Sequence, residues 1–243
     1  MTYNQAEYFG WITIANSIAA ETSARCGWDG IIIDMQHGVM SFEEVRNLIL
    51  AVKITSKPAY VRLRWNEPAL VMQCLDAGAD GLICPMTNTA KEAKTFVKSA
   101  LYPPDGYRSY GPILAKLRQG SSYFEGANKA VSLFAMIETQ EAAENADGII
   151  GTAGLSGIFV GPTDLYISMT KKETPDWENV SYTDQIKKIA EKCLTKNLRP
   201  GIYQPDASNI PLLKNWGYSF FGMGDDRKYI MQGAEKLLKE AGR

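Results

Sequence analysis

Ile31-Ile32-Ile33-Asp34-Met35-Gln36-His37-Gly38 is a β-branched run that ends on an acid and passes through a glycine-containing turn. It leads into Ser41-Phe42-Glu43-Glu44, where a serine followed three residues later by a glutamate has the spacing of a helix capping box. The stretch reads as strand, polar turn, helix. Working outward, the same unit recurs. Strands are expected at 9–14, 28–34, 59–63, 81–84, 131–137, 157–160, 199–203 and 218–223. Helices are expected between them, at 17–26, 41–52, 67–77, 90–100, 140–146, 184–195, 209–216 and 228–240. Eight βα units favour an α/β fold closed as a single (β/α)8 TIM barrel over an open doubly wound sheet. No composition break marks a boundary, so residues 1–243 are expected to form one barrel domain. The one long connection, 102–130, carries Pro103-Pro104-Asp105-Gly106 and Gly111-Pro112, and its length marks it as a functional or interface segment.

Composition narrows the function. The chain has 243 residues, 45% hydrophobic and 22% charged, with 26 basic against 27 acidic side chains and a net charge of −1. That balance offers nothing to nucleic acid or an anionic membrane, and it favours a small-molecule partner. A single histidine, His37, excludes His-rich metal clusters and relays. Cys26, Cys74, Cys84 and Cys193 are scattered, with no C-x-x-C pair, and read as reduced thiols of a cytoplasmic protein. The start, Met-Thr-Tyr-Asn-Gln-Ala-Glu, lacks the basic and apolar regions of a signal peptide, and no apolar run approaches the ~20 residues of a membrane helix.

Barrels do their chemistry at the C-terminal ends of strands. Here Asp34 ends the second strand, Arg62 lies in Val61-Arg62-Leu63-Arg64 at the end of the third, Glu138 follows the fifth, and Asp164 follows the sixth in Gly161-Pro162-Thr163-Asp164. Alternation puts Asp34 on the face of Ile32, and Glu138 on the face of Phe134 and Met136. Two carboxylates such as Glu138 and Asp164 repel unless a positive charge lies between them. Hard divalent cations prefer oxygen donors, so Mg2+ or Mn2+ is the natural solution, leaving Arg62 for substrate. Each group also has a plainer reading: Asp34 or Asp164 as a turn cap, Arg62 as the salt-bridge partner of Asp34, His37 as a loop residue. A buried unpaired Glu138 is harder to dismiss. Among the glycines, the 148–157 stretch precedes a strand and is no dinucleotide fingerprint. Gly222-Met223-Gly224 reads as a tight turn, since Asp225-Asp226 would repel phosphate. Gly161-Pro162-Thr163-Asp164 has the alternative of opening a short helix whose free amides take a carboxylate.

Ile33-Asp34-Met35-Gln36-His37-Gly38, Val61-Arg62-Leu63-Arg64-Trp65-Asn66, Tyr102-Pro103-Pro104-Asp105-Gly106-Tyr107-Arg108, Ile137-Glu138-Thr139 and Gly161-Pro162-Thr163-Asp164-Leu165 together resemble the HpcH/HpaI aldolase family. These are the metal-dependent class II pyruvate aldolases of the phosphoenolpyruvate/pyruvate barrel superfamily. The resemblance implies Glu138 and Asp164 as ligands of a divalent metal, Mg2+ or Mn2+ with Co2+ as a further option. It implies Arg62 at the ketone oxygen, His37 in proton transfer with Asp76 as its partner, and Asp34 near the acceptor aldehyde. Gly161, Thr163, Asp164, Gln36, Trp11 and Tyr203 are then expected around the substrate, with the backbone of Thr163 and Asp164 on its carboxylate. Gln36 stands where the better-characterised members have glutamate, and Tyr203 where they have an aliphatic residue, which bears on acceptor choice. The resemblance also implies a homo-oligomer, a hexamer, with the last helix packed on a neighbouring subunit.

The expected reaction is reversible aldol cleavage of a 4-hydroxy-2-oxo acid to pyruvate, or a related 2-oxo acid, and an aldehyde. The metal acts as Lewis acid, Arg62 stabilises developing charge, and His37 or water at the metal takes the 4-hydroxyl proton. An imidazole titrates near neutrality, which suits that duty. A Schiff-base aldolase needs a lysine at a strand end, and none of the eight strands ends in one. The same residues leave room for a metal-dependent 2-oxo acid lyase or decarboxylase of the oxaloacetate type, for an acyl-CoA lyase, although no basic cluster is present to receive its phosphates, and for a non-catalytic metabolite-binding barrel.

Overall fold

Each of the eight apolar runs becomes a parallel strand in the computed structural model, which describes residues 5–243. The N-terminal reading above falls partly on residues 1–4, which lie outside the described residues. The strands are β1 (Glu7–Ile12), β2 (Gly30–Asp34), β3 (Ala59–Arg62), β4 (Gly81–Cys84), β5 (Ser132–Ile137), β6 (Gly157–Val160), β7 (Arg199–Gln204) and β8 (Phe220–Met223). Each pairs with its successor, and β8 pairs with β1, closing the (β/α)8 barrel in chain order.

The helices are α1 (Ser17–Ala24), α2 (Phe42–Ile54), α3 (Pro68–Asp76), α4 (Ala90–Ala100), α5 (Ile113–Gln119), α6 (Tyr123–Ala130), α7 (Gln140–Glu144), α8 (Ala146–Ile150), α9 (Pro162–Thr170), α10 (Val180–Thr195), α11 (Ile210–Asn215) and α12 (Asp226–Glu240). Ser41 and Glu44 do form a reciprocal capping box, and Thr89 with Glu92 forms a second. Outward-facing strand residues such as Ile31, Ile33, Val61, Leu133 and Val160 pack against the helices in one large core. The barrel interior is a separate cluster built from Phe9, Trp11, Ile32, Tyr60, Ile83, Phe134, Met136, Phe159 and Phe220. Large rings fit there because glycines face them. A Cβ on Gly81 would lie 2.7 Å from the Tyr60 ring, and one on Gly157 would lie 2.5 Å from Phe134. With the interior filled, the barrel itself leaves space for a ligand above this cluster, at the C-terminal rim.

Several expected boundaries shift. Strand ends move by up to two residues. The 140–146 helix divides into α7 and α8, and α10 starts at Val180 because Asn179 caps it. The 102–130 connection holds two unexpected helices, α5 and α6. It is pinned by the buried Arg108, which bonds Asp76 at 2.6 Å and the Tyr123 hydroxyl at 2.9 Å and lies 4.5 Å over the Tyr102 ring. At the other end of the chain, Asp225 caps α12 and starts it two residues earlier than expected. Only Asp226 of that helix is buried; Ile230, Leu237 and Leu238 are exposed, so its apolar face does not pack on its own barrel. All four cysteines are free thiols. Among the described residues, no helix is long and apolar enough to cross a membrane.

Candidate active site

β2 and β3 pair in a register that sets Asp34 beside Arg62, both on the inward face above Ile32 and Tyr60. The Arg62 guanidinium donates to Asp34 through Nε (2.9 Å) and Nη2 (2.6 Å). Asp34 also accepts from Trp11 Nε1 at 3.2 Å and from the amides of Gln36 and His37 at 3.0 and 3.3 Å. Burial alone would raise this carboxyl. The Arg62 bonds and charge, with Trp11 and the His37 amide, outweigh burial and hold it below the usual carboxylate range. The salt-bridge reading of Arg62 is thus what forms, and Arg62 still reaches the cavity above.

Glu138 lies one residue past β5, on the face of Phe134 and Met136. It is 1% exposed. Its Oε1 accepts from the Met86 amide at 2.6 Å, while Oε2 is buried with no hydrogen-bond partner. Burial pushes this carboxyl up to about 7, and the Asp164 charge adds to the rise, against the pull of the Met86 amide and Arg62. The Met86 amide is aimed there by a left-handed backbone, φ 49°, which for a non-glycine residue costs roughly 1–2 kcal/mol. The next residues are tied down: Asn88 accepts from Thr139 Oγ1 (2.6 Å) through its side chain and from Asn145 Nδ2 (2.9 Å) through its carbonyl. On the other side, Gly161 leaves room for the carboxylate, since a Cβ there would sit 2.5 Å from Oε2.

Gly161 caps α9, Pro162 supplies its first residue, and Asp164 stands in its first turn. The short helix considered at this motif does form. Thr163 and Asp164 are exposed to the cavity at a helix N-terminus, where free amides favour an anion.

The cavity has a volume of about 240 Å3. It brings together Trp11, Asp34, His37, Arg62, Gly161, Thr163, Asp164 and Tyr203, all expected from the sequence. Glu138 lies beneath, against Gly161. Among the described residues no lysine lines the cavity. Two expected residues are not part of it. Gln36 contributes its amide to Asp34, and its side-chain Oε1 is buried without a partner. Asp76, expected beside His37, is paired with Arg108 instead. The reason is topological: α3 runs from the rim back to the base of the barrel, so its last residue lies near the start of β4, away from the β2 loop that carries His37. Within one chain, that pairing is not made.

Three cavity residues were missed, Thr13, Asp225 and Arg227. Asp225-Asp226 read as a repulsive pair, but the two acids face different partners. Asp225 caps α12 and pairs with Arg227, at 3.0 Å to Nε and 3.2 Å to Nη2. Asp226 accepts from the amides of Thr13 and Ile14, both at 3.0 Å, and from the Thr13 hydroxyl at 2.7 Å. An Asp in N-cap position after the last strand was the usable signal.

A divalent cation suits the Glu138 and Asp164 pair. The donors are hard oxygens, one is buried and unpaired, and Gly161 shapes the cradle. Among the described residues no group of three or more His, Cys, Asp or Glu could enclose a metal. A two-carboxylate site keeps coordination positions open for substrate.

The model of the HpcH/HpaI aldolase/citrate lyase family matches residues 8–232. A hydroxypyruvate/pyruvate aldolase of Rhizorhabdus wittichii is 34% identical over 232 residues, 96% of this chain and 92% of the relative. A 4-hydroxy-2-oxo-heptane-1,7-dioate aldolase of Salmonella paratyphi C is 32% identical over 238 residues, 96% and 89% of the two chains. The crystal structure of an HpcH/HpaI aldolase/citrate lyase family protein from Burkholderia cenocepacia superposes with a TM-score of 0.90 at 25% identity, covering 98% of this chain and 95% of that one.

Proposed function

The chain belongs to the HpcH/HpaI aldolase/citrate lyase family and is a carbon–carbon lyase, an aldolase of that family, and from that premise we propose that it reversibly cleaves a 4-hydroxy-2-oxo acid to pyruvate, or a related 2-oxo acid such as hydroxypyruvate, and an aldehyde. The observation that carries this reading is the partnerless, buried Oε2 of Glu138 beside Asp164, on the rim that also presents Arg62 and His37.

Glu138 and Asp164 would hold Mg2+ or Mn2+, which when bound supplies Lewis-acid polarisation of the 2-oxo acid ketone. The amides of Thr163 and Asp164 receive the substrate carboxylate at the start of α9. Arg62, fixed by its two bonds to Asp34, sets positive charge beside the ketone oxygen, which gains negative charge as the C3–C4 bond breaks. Because Asp34 occupies Nε and one Nη2 proton, the remaining guanidinium donors are the ones available to substrate. His37, on the cavity wall, accepts the proton of the 4-hydroxyl and returns it in the reverse direction. Trp11 and Tyr203, their rings 5.1 Å apart, bound the aldehyde side.

We place the enzyme in the cytoplasm, in keeping with four free thiols. It acts as one barrel domain in a homo-oligomer, with α12 exchanged onto a neighbouring copy. The exposure of Ile230, Leu237 and Leu238 on a helix that its own barrel leaves uncovered supports that exchange. A panel of aldehydes offered with pyruvate and with hydroxypyruvate, with and without chelator, tests the reading. Metal-restorable carbon–carbon bond formation is expected, and chelator-resistant activity or no aldol product with any pair would overturn it.

A further inference from the structure

Glu138 presents its two oxygens to different surroundings. Oε1 accepts from the Met86 amide at 2.6 Å, whereas Oε2 is buried with no partner beside Gly161. The Met86 N–H reaches Oε1 from a left-handed backbone, φ 49°, which any residue with a Cβ disfavours. Unrestrained, Met86 would relax to negative φ and swing its amide away from the carboxylate.

The restraint lies at Asn88. Its side-chain carbonyl accepts from the Thr139 hydroxyl at 2.6 Å, its backbone carbonyl accepts from Asn145 Nδ2 at 2.9 Å, and its amide donates to Glu92 Oε2 at 2.8 Å. Thr139 is fixed in turn, because its hydroxyl accepts from the Ala142 amide as the cap of α7. The loop between β4 and α4 is thus joined to the end of β5 at neighbouring points, Met86 to Glu138 and Asn88 to Thr139. The carboxylate is held with Oε1 against that loop and Oε2 toward Gly161.

This arrangement bears on which cation fits. Mg2+ and Mn2+ take compact octahedral shells of single oxygens, whereas Ca2+ takes more oxygens and readily accepts both from one carboxylate. A cation gripped by both oxygens of Glu138 would compete with the Met86 N–H for Oε1.

We propose that Asn88 is a positioning residue: by keeping the Met86 amide on Oε1 it leaves Glu138 one oxygen to offer, and so biases the Glu138 and Asp164 site toward Mg2+ and Mn2+ and against Ca2+. The proposal rests on the metal-dependent reading above. It concerns the choice of cation, and neither the substrate nor the bond that breaks.

The test follows cation binding without turnover. Mn2+ bound to the chelator-treated full chain is displaced with Ca2+ or with Mg2+, and the return of the free Mn2+ electron paramagnetic resonance signal gives the relative affinities. In the wild type Ca2+ should displace Mn2+ less readily than Mg2+ does. Asn88→Ala should weaken Mn2+ binding about tenfold while sparing Ca2+, shifting the preference toward Ca2+ by about the same factor. Asn88→Asp, which keeps the acceptor for Thr139, should retain the wild-type preference. Adding Met86→Gly to Asn88→Ala should restore much of it, since glycine adopts positive φ without steric cost. Thr139→Val deletes the same bond from its other end and should shift the preference in the same direction, so the test stands even if Asn88→Ala does not fold. A wild type that Ca2+ displaces as readily as Mg2+ does, or a preference unchanged by removal of the bond between Asn88 and Thr139, overturns the proposal while leaving the metal site intact. Absence of Mn2+ binding in the wild type instead defeats the metal-dependent reading itself.

Discussion

Asp34 and Glu138 are two buried carboxylates on one rim, each about 1% exposed, and they have opposite surroundings. Asp34 is saturated: it receives five hydrogen bonds, two of them from a cation, and its carboxyl is held below the ordinary range. Glu138 receives one, from the Met86 amide, keeps an oxygen with no partner, and is pushed up to about 7. A finished ion pair needs nothing more, whereas a buried carboxylate left short of positive charge marks where a cation belongs. The difference separates a group that positions Arg62 from a group that, under the proposed function, would hold the cation.

The largest expected effect comes from breaking the incomplete site. Glu138→Ala should lower aldol cleavage on the order of 10³-fold, because a cation no longer held beside the ketone stops stabilising the charge that develops there; steady-state kinetics at saturating Mn2+ checks this. Breaking the complete site acts first on the fold. Asp34→Ala leaves Arg62 buried without its counter-charge and should cost about 3–5 kcal/mol in urea unfolding, with the amide donors of Gln36 and His37 stranded as well.

The two carboxylates should also give pH dependences of opposite sign. The Glu138 carboxyl titrates at about 7 folded against 4.5 for an ordinary glutamate, so the metal-free protein is most stable while that group is protonated. Between those two values the unfolded state has already lost its proton, and stability should fall by about 3 kcal/mol as pH rises from roughly 4 to 7, levelling off above that. Glu138→Gln should flatten that slope, and Mn2+ should reverse it. The Asp34 contribution runs the other way: it is fully present above 3.8 and is lost as pH falls further through the depressed folded value. The smallest effect is a crowding one. Gly161→Ala places a methyl 2.5 Å from Glu138 Oε2 and should weaken Mn2+ binding by about tenfold, an overpacking cost of order 1–2 kcal/mol.

Much of this site was legible in the chain. The recurring strand, polar turn and helix unit led to the closed barrel, and alternation within single strands turned Asp34 and Glu138 inward, as the interior cluster containing Ile32, Phe134 and Met136 bears out. What stayed hidden were relations between distant segments. Glu138 depends on an amide 52 residues earlier, and on a left-handed Met86 that no residue preference announces. Asp76 matched a motif, yet its helix carries it to the far end of the barrel, where Arg108 claims it. Helices α5 and α6 were masked by the prolines and glycines before them and lack side-chain caps. Arg227 was missed because two adjacent acids were weighed as a single negative patch, although one caps a helix and the other ties down β1.

The central claim is that Glu138 and Asp164 form a divalent-cation site completed by substrate. Titration of the chelator-treated protein with Mn2+, followed by the loss of the free-ion electron paramagnetic resonance signal, tests it without relying on turnover. One tight Mn2+ per chain is predicted for the wild type, with affinity rising up to pH 7 and above, and at least a hundredfold weaker binding for Glu138→Gln. Equal Mn2+ affinity in the wild type and in Glu138→Gln, or no binding in either, would contradict the account.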